Sequence, residues 1–444
     1  MLTRSWSCIW AIVPADYYYV ILRLPSQTSR LLLVAIAFLC AVALSFFGIR
    51  AALATYYVSL NTRAGIETAV RLEPHDPDKW YFLGRYWQYS LVEPDTGQAI
   101  RAYRTSLSLN PHSANTWLEL ASAYETDGDI DAARKANLEA KNVYPASAEV
   151  LWRYGNFLLR QNELESAFAE IHRAIEEDPK FGAEAVRVCR HAESDFNRIL
   201  DRILPPIAEA YLNAVWELTE EGDTKDALKV WSKLVALHPR LHELEVAHFV
   251  GGLLREQQTV DAGRVWGQAI TLMDLPKMDD PPGSLIWDGG FETDVTDVDL
   301  AWRIEPHRSV IISYDQNVKH SGLRALRLDI DQKDISGFVG VCQRVIVEPK
   351  TAYEFSAWLR TRDLAKEGGI FFRLATPGLQ ASPLFETTKL RGTNEWTKIS
   401  MPWTSPDESH LAQVCLARSR EYDPGHGIAW VDDVSLLKLD TTIK

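Results

Sequence analysis

Between Trp117 and Pro145 apolar and small residues recur at helical spacing: Trp117, Leu120, Ala121 and Tyr124, a polar break at Gly128-Asp129, then Ala133, Asn137 and Ala140. This pattern predicts a helix, a tight turn and a second helix closed by Pro145. Thirty-four residues further on the same types return as Ala167, Ala174 and Pro179, with Gly155 in the place of Ala121. A fixed period of this kind marks stacked helical pairs rather than one globule. From Leu285 onwards the period changes to two. Segments rich in β-branched and aromatic residues fall at 309–314, 323–330, 338–347, 353–359, 369–375, 396–403, 411–418 and 428–437. Strands at that spacing, without helical stretches between them, predict a β-sandwich.

The helical units resemble the tetratricopeptide repeat (TPR) family, whose units combine an early Trp, a Leu-Gly, a Tyr, paired alanines at the helix crossing and a closing Pro. Trp80, Leu83, Gly84, Trp87, Ala99, Tyr103 and Pro111 make one such unit, with an insertion near Glu93-Pro94. Two regular units close at Pro145 and Pro179. The pattern degenerates between Lys180 and Pro206, around Cys189 and His191. It returns with Tyr211, Gly222-Asp223, Ala227, Trp231 and Pro239, and ends with Phe249, Ala262, Trp266 and Ala269. About five units exceed the three a stable stack needs. Small residues at 133, 140, 167 and 174 let paired helices approach closely, and Trp117, Tyr124, Trp152 and Tyr154 fill the space between neighbours, a packing role and not a cofactor role. The resemblance implies a groove for protein partners.

Residues 31–49 are uncharged and almost wholly apolar between Arg30 and Arg50, long enough for one bilayer crossing. Arg4, Arg23 and Arg30 precede the segment against Arg50 and Arg63 behind it, a modest bias that favours the N-terminus in the cytoplasm and everything after residue 50 outside. Ala52-Leu53-Ala54 offers a competing signal-peptidase site, but the leader is long for a signal peptide, so an uncleaved anchor is expected. Ile66, Ala69 and Pro74 fit the second helix of a unit, which makes the helix leaving the membrane its first partner. The segment 8–24, interrupted by Pro14 and Asp16, reads as an interfacial leader or a mistaken start. A net charge of -13, with no run of Lys or Arg, argues against nucleic acid.

Pro281-Pro282-Gly283 punctuates the change of period, and few contacts are expected to cross it. Beyond it, Leu285-Ile-Trp-Asp-Gly-Gly-Phe-Glu292, Tyr353-Glu-Phe-Ser-Ala-Trp358, Trp396-Thr-Lys-Ile-Ser400 and Trp430-Val-Asp-Asp-Val-Ser-Leu436 resemble jelly-roll carbohydrate-binding modules of the family 4/9/22 type. That resemblance implies a structural calcium held by Glu292 and Asp432. The Trp287-Asp288-Gly-Gly sequence departs from the family's Asn-Gly, which leaves a metal-free site as the alternative. A sugar needs aromatic faces and planar polar groups. The candidates are Trp302, Tyr314, Trp403 and Tyr422, with Gln343 and Arg373 as polar partners; each also has a reading as core or loop packing.

His238, His242 and His248 look like a metal run, but Pro239 breaks it and the stretch reads as a turn between repeats. No G-x-S-x-G, H-E-x-x-H or P-loop string occurs, so no catalytic residue and no cofactor beyond calcium is assigned. Cysteines stand at 8, 40, 189, 342 and 415. In an exported chain Cys342 and Cys415 have the option of bridging two strands; with no recognised framework in their spacing, separate free thiols are expected.

The expected fold is therefore multidomain: a leader over 1–30, a transmembrane helix over 31–52, an all-α TPR solenoid over 53–274, a linker over 275–284 and an all-β, galactose-binding-like jelly-roll sandwich over 285–440. The function expected is a non-enzymatic, single-pass scaffold in the periplasm or outside the cell. It binds protein partners and a glycan, in the setting of bacterial cell-surface polysaccharide assembly or export. The alternatives are a structural adaptor whose sandwich binds no sugar, and a polysaccharide-acting enzyme using the sandwich.

Overall fold

Polar residues at the predicted breaks set where the helices begin. The side chains of Thr62, Asp76, Asp95, Ser113 and Asp129 each accept a hydrogen bond from a backbone N–H in the first turn of the helix that follows, satisfying donors that have no partner within the helix. The computed structural model describes residues 27–276, 280–296, 298–307, 310–331, 338–364, 369–377, 385–418 and 426–439. The chain divides at Pro145 into two compact units.

In the first unit, α1 (Gln27–Ser59) and α2 (Arg63–Leu72) form a pair, followed by α3 (Pro77–Tyr89) with α4 (Thr96–Leu109) and α5 (Ala114–Asp127) with α6 (Ile130–Val143). The apolar stretch of α1 is exposed, and Leu31–Ser59 is long and apolar enough to cross a membrane. The same helix continues without a break into the helical pairs. Ala54 is fully buried, Arg50 donates to the carbonyl of Leu72 at the end of α2, and Ile66, Ala69 and Val70 form the buried side of α2. Trp80 and Trp117 recur at equivalent places, each donating its indole N–H over 2.9 Å to the carbonyl of the proline six residues earlier. The early tryptophan thus ties each pair to the turn before it. The insertion lengthens the α3–α4 connection to Ser90–Asp95, where α5 and α6 are joined through Gly128 and Asp129 alone.

The second unit continues with α7 (Ala148–Arg160), α8 (Leu164–Glu177), α9 (Phe181–Ala192), α10 (Phe196–Arg202), α11 (Ala208–Glu220), α12 (Thr224–Ala236), α13 (Glu243–Arg255) and α14 (Thr259–Leu272). The degenerate stretch is a full helix followed by one of seven residues. Aromatic contacts link successive pairs, with Trp152 stacked on Phe181 at 5.0 Å between ring centres and Trp231 tilted against Phe249 at 5.6 Å.

Among its described residues the same unit holds ten antiparallel strands: β1 (Arg303–Ile304), β2 (Val310–Asp315), β3 (Ala325–Asp331), β4 (Phe338–Ile346), β5 (Ala352–Arg362), β6 (Ile370–Ala375), β7 (Phe385–Glu386), β8 (Asn394–Thr404), β9 (Leu411–Arg418) and β10 (His426–Lys438). Sheet I has the order β1-β4-β9-β6-β7 and sheet II the order β2-β3-β10-β5-β8. Their inner faces meet in one core, where Phe355 of sheet II lies 5.0 Å from Phe372 of sheet I. Cys342 and Cys415 are register partners on β4 and β9 and form a disulfide, which corrects the expectation of free thiols. The sheet order brings together two cysteines 73 residues apart, which spacing along the chain does not reveal.

The Pro-Pro-Gly segment does not keep helices and sandwich apart. Trp287 meets Trp266 of α14 edge to face at 5.1 Å, and Val298, Leu300 and Ala301 are buried in the same cluster as α13 and α14. A side chain at Gly263 would begin 2.6 Å from Ile346 of β4, so α14 and the sandwich touch closely there. The Thr296 amide donates to Glu243 over 3.2 Å, and Arg344 pairs with Asp299 at 3.2 Å. The last helix of a stack has no further repeat to cover its apolar side, and here the start of the sandwich covers it.

Ala133 and Ala167 are fully buried, whereas Glu139 is exposed. Ala133→Leu and Ala167→Leu should each cost about 1–3 kcal/mol by overpacking, and Glu139→Ala no more than about 0.5 kcal/mol, measured by chemical denaturation. Equal losses at all three positions would contradict the repeat register.

Candidate functional site

Two loops of the sandwich converge on a pair of carboxylates. The loop before β1 is shaped by Asp288, which is buried: its carboxylate accepts from the amides of Glu292 at 2.6 Å and Thr293 at 2.9 Å and from the Thr293 hydroxyl at 2.7 Å. Burial pushes the Asp288 carboxyl above its ordinary value. Glu292, carried by this loop, reaches the β2–β3 turn, where Oε1 accepts from the Leu323 amide at 2.8 Å. Gly322 has a φ of +57°, and a side chain there would collide with Glu292 Oε1, so the turn requires glycine. Glu292 Oε2 is buried and makes no hydrogen bond.

Asp432 comes from the bulge in β10 and is wholly buried. Its Oδ2 accepts from the amides of His320 at 2.7 Å and Ser321 at 3.1 Å, and burial pushes the carboxyl up to about 6. Asp432 Oδ1 and Glu292 Oε1 each lie 3.6 Å from where a Gly290 side chain would begin, so the two carboxylates flank one small space. A buried oxygen without a partner next to a second buried carboxylate suits a hard cation such as calcium, with backbone carbonyls and water completing the six to eight oxygens it takes. Among the described residues no group of three or more His, Cys, Asp or Glu side chains gathers as a metal site. The three histidines of the sequence run are spread out: His238 lies in a turn, His242 caps α13, and His248 stacks on Trp216 at 3.9 Å.

Three of the six sugar candidates, Trp302, Trp403 and Gln343, are packing residues. Trp302 is buried against Phe291, with its indole N–H on the Asp288 carbonyl, and Trp403 is buried against Tyr353. Gln343 is buried and bonds both the amide and the carbonyl of Trp287. These three offer no open face to a ligand. Tyr314 is half-buried beneath the Arg324 guanidinium, which stands 3.8 Å from the ring centre. Arg373 pairs with Glu386 at 2.9 Å over Phe371. Tyr422 lies outside the described residues.

Further half-exposed aromatics lie outside the candidate set. His320 stacks on Trp358 of β5 at 3.9 Å, and Trp396 of β8 stands edge to face with His320 at 5.6 Å. Asp433 fixes the corner, taking His320 Nδ1 at 2.5 Å and the Ser321 hydroxyl at 2.6 Å. Strand alternation contained this result. Trp358 is an odd number of residues from buried Phe355, and Trp396 from buried Trp403, so each points to the opposite side from its buried neighbour. His320 left no such signal, because a turn has no period. In the helical region, an open cavity of about 670 Å³ includes Phe82, Tyr86 and Tyr89 of α3 together with Leu91 and Val92 of the inserted loop. The two aliphatic side chains are 101% and 91% exposed, while Glu93 beside them is held by Arg63 and Tyr86 at 3.1 Å each.

A profile of the tetratricopeptide repeat family matches residues 95–143, which hold α4, α5 and α6. Among solved structures, a family 16 carbohydrate-binding module is 19% identical and covers 34% of this chain and 99% of its own, at a TM-score of 0.26. The xylan-binding domain of a family 22 module is 14% identical over 37% of this chain and all of its own, at 0.27. YrrB, a TPR protein with an unusual peptide-binding site, is 14% identical over 47% and 91%, at 0.25. The tRNA nuclease WapA of Bacillus subtilis strain 168 is 28% identical over 163 residues, 35% of this chain. The chain spans about 7% of the length of the curated relatives it matches.

Proposed function

We propose that this chain is a non-enzymatic scaffold held in a membrane by α1, with the repeats and the sandwich in the periplasm or outside the cell. On this reading the repeats hold protein partners, through the groove of the solenoid and the open cavity beside Leu91 and Val92. The sandwich binds a glycan, and the setting is assembly or export of a bacterial surface polysaccharide. The observation that carries the reading is the seat of α1. Its apolar stretch runs directly into the first helical pair, and Ala54, at the competing processing site, is fully buried. Cleavage there would remove most of the helix against which α2 packs. The Cys342–Cys415 disulfide supports the same placement, since such bonds persist in oxidising compartments. Glu292 and Asp432 are the residues that would hold calcium, whose charge would offset the buried Asp432 carboxylate and the buried oxygen of Glu292 beside it.

Topology is tested in cells with a tag on the N-terminus. The tag should stay on the full-length chain in the membrane fraction, and protease admitted through a permeabilised outer envelope should digest the chain beyond residue 55. Loss of the tag, or a fully cytoplasmic product, would sink the anchor.

Calcium is tested by thermal denaturation. Addition to chelator-treated protein should raise the melting temperature of the sandwich, because a ligand that binds only the folded state stabilises it. Glu292→Ala should abolish the rise. A melting curve indifferent to calcium in the unaltered protein would leave the two carboxylates with a structural role only.

A further inference from the structure

We propose that the open cavity beside α3 and the inserted loop at its rim dock a second copy of this chain, so that the membrane-held protein is a two-fold dimer; this rests on the reading that α1 anchors the chain and the repeats hold protein partners, and it names the partner at that cavity. The loop carries the first observation. Its residues, Ser90–Asp95, stand where α5 and α6 are joined by Gly128 and Asp129 alone. None of the extra length packs Leu91 or Val92, which are 101% and 91% exposed. The backbone beneath them is nevertheless fixed. The Ser90 hydroxyl accepts from the amides of Val92 at 3.3 Å and Glu93 at 3.2 Å, the Asp95 amide donates to the Trp87 carbonyl at 2.8 Å, and the Glu93 carboxylate takes Arg63 and the Tyr86 hydroxyl at 3.1 Å each. Two neighbouring aliphatic side chains held out into water on an ordered loop mark a contact surface, and such a loop has little freedom left to lose on binding.

The cavity supplies the complement. It encloses about 670 Å³, with Val58, Ile66, Phe82 and Tyr86 in its wall and Leu91 and Val92 at its rim. A projection and a recess side by side on one face are self-complementary. A two-fold rotation seats the rim of each copy in the recess of the other, the isologous arrangement that closes as a dimer. Anchoring permits that symmetry, since two α1 helices crossing one bilayer in the same direction are related by a two-fold axis along its normal, and confinement to the bilayer raises the effective concentration of the copies. Charge agrees with a like partner. Arg85 lines the cavity, 6.0 Å and 5.7 Å from the ring centres of Tyr81 and Tyr89, and Asp95 ends the loop in an exposed position. Loop on cavity thus brings opposite charges together twice, Arg85 of each copy toward Asp95 of the other.

The test uses the full chain with a fluorescent donor or acceptor protein fused at its C-terminus, the two populations reconstituted together in phosphatidylcholine vesicles over a series of protein-to-lipid ratios. Energy transfer should exceed that of randomly placed chains and persist on dilution in the membrane. Leu91→Ser combined with Val92→Ser should raise the surface density needed for half-maximal transfer about tenfold or more. Arg85→Glu should raise it about threefold or more, and Ile311→Ser, at an exposed aliphatic on sheet II, should leave it within about twofold. Melting curves show whether each variant is folded, and Arg85→Glu carries the test if the double variant is not. Unchanged transfer in the folded variants, which all keep α1, overturns the site. Transfer no greater than random placement in the unaltered protein overturns the dimer and leaves the repeats to other protein partners. A chain that does not float with the vesicles overturns the anchor and the dimer with it.

Discussion

The second unit depends on burying the outer side of α14. A stack of helical pairs is stable only where each apolar face meets another, and Gly263 and Trp266 of the last helix have no following repeat to cover them. Trp287, Val298, Leu300 and Ile346 cover them. An edge-to-face pair such as Trp266–Trp287 adds about 0.5–1.5 kcal/mol beyond the area it buries, and the aliphatic contacts around it contribute roughly 25 cal/mol for each Å² removed from water. The polar groups at the margin are paired as well, through Glu243 to the Thr296 amide and Asp299 to Arg344.

From this seam follows which parts of the sandwich are available. Helices take up the β4 side of sheet I, and the aromatic corner stands on sheet II, next to the turn that Glu292 and Asp432 organise. The β2–β3 turn belongs to both. Its amides donate hydrogen bonds to the two carboxylates, and its histidine completes the ring cluster. The carboxylate pair and the ring cluster are thus joined through the same four residues, His320–Leu323.

Element type and order were legible because each period lasts long enough to be counted. All eight expected strands are present within a few residues of the expected bounds; the two added, β1 and β7, have two residues each, too few to show alternation. The repeat register was legible from small residues such as Ala133 and Ala167, since only close crossings demand them. The phase of each strand was harder to read. Trp403 and Trp302 look like ligand platforms in the sequence and are core residues in the structure, because a large aromatic satisfies either role and only the neighbours decide. Gln343 sits inside because one backbone segment, at Trp287, needs both its donor and its acceptor. Asp288, which shapes the carboxylate loop, reads in the sequence as a departure from a motif. The disulfide and the seam depend on sheet order and on contacts between segments of different period, which no local pattern encodes.

The central claim is that the last helical pair and the sandwich hold each other in place. Hydrogen exchange of the full chain carrying Val298→Asp tests it most directly, since the substitution puts a charge at a fully buried position in the seam. The account predicts loss of protection in α13 and α14 together with β4 and its neighbour β9. Faster exchange confined to the loop around Val298, with both modules protected as before, would contradict it.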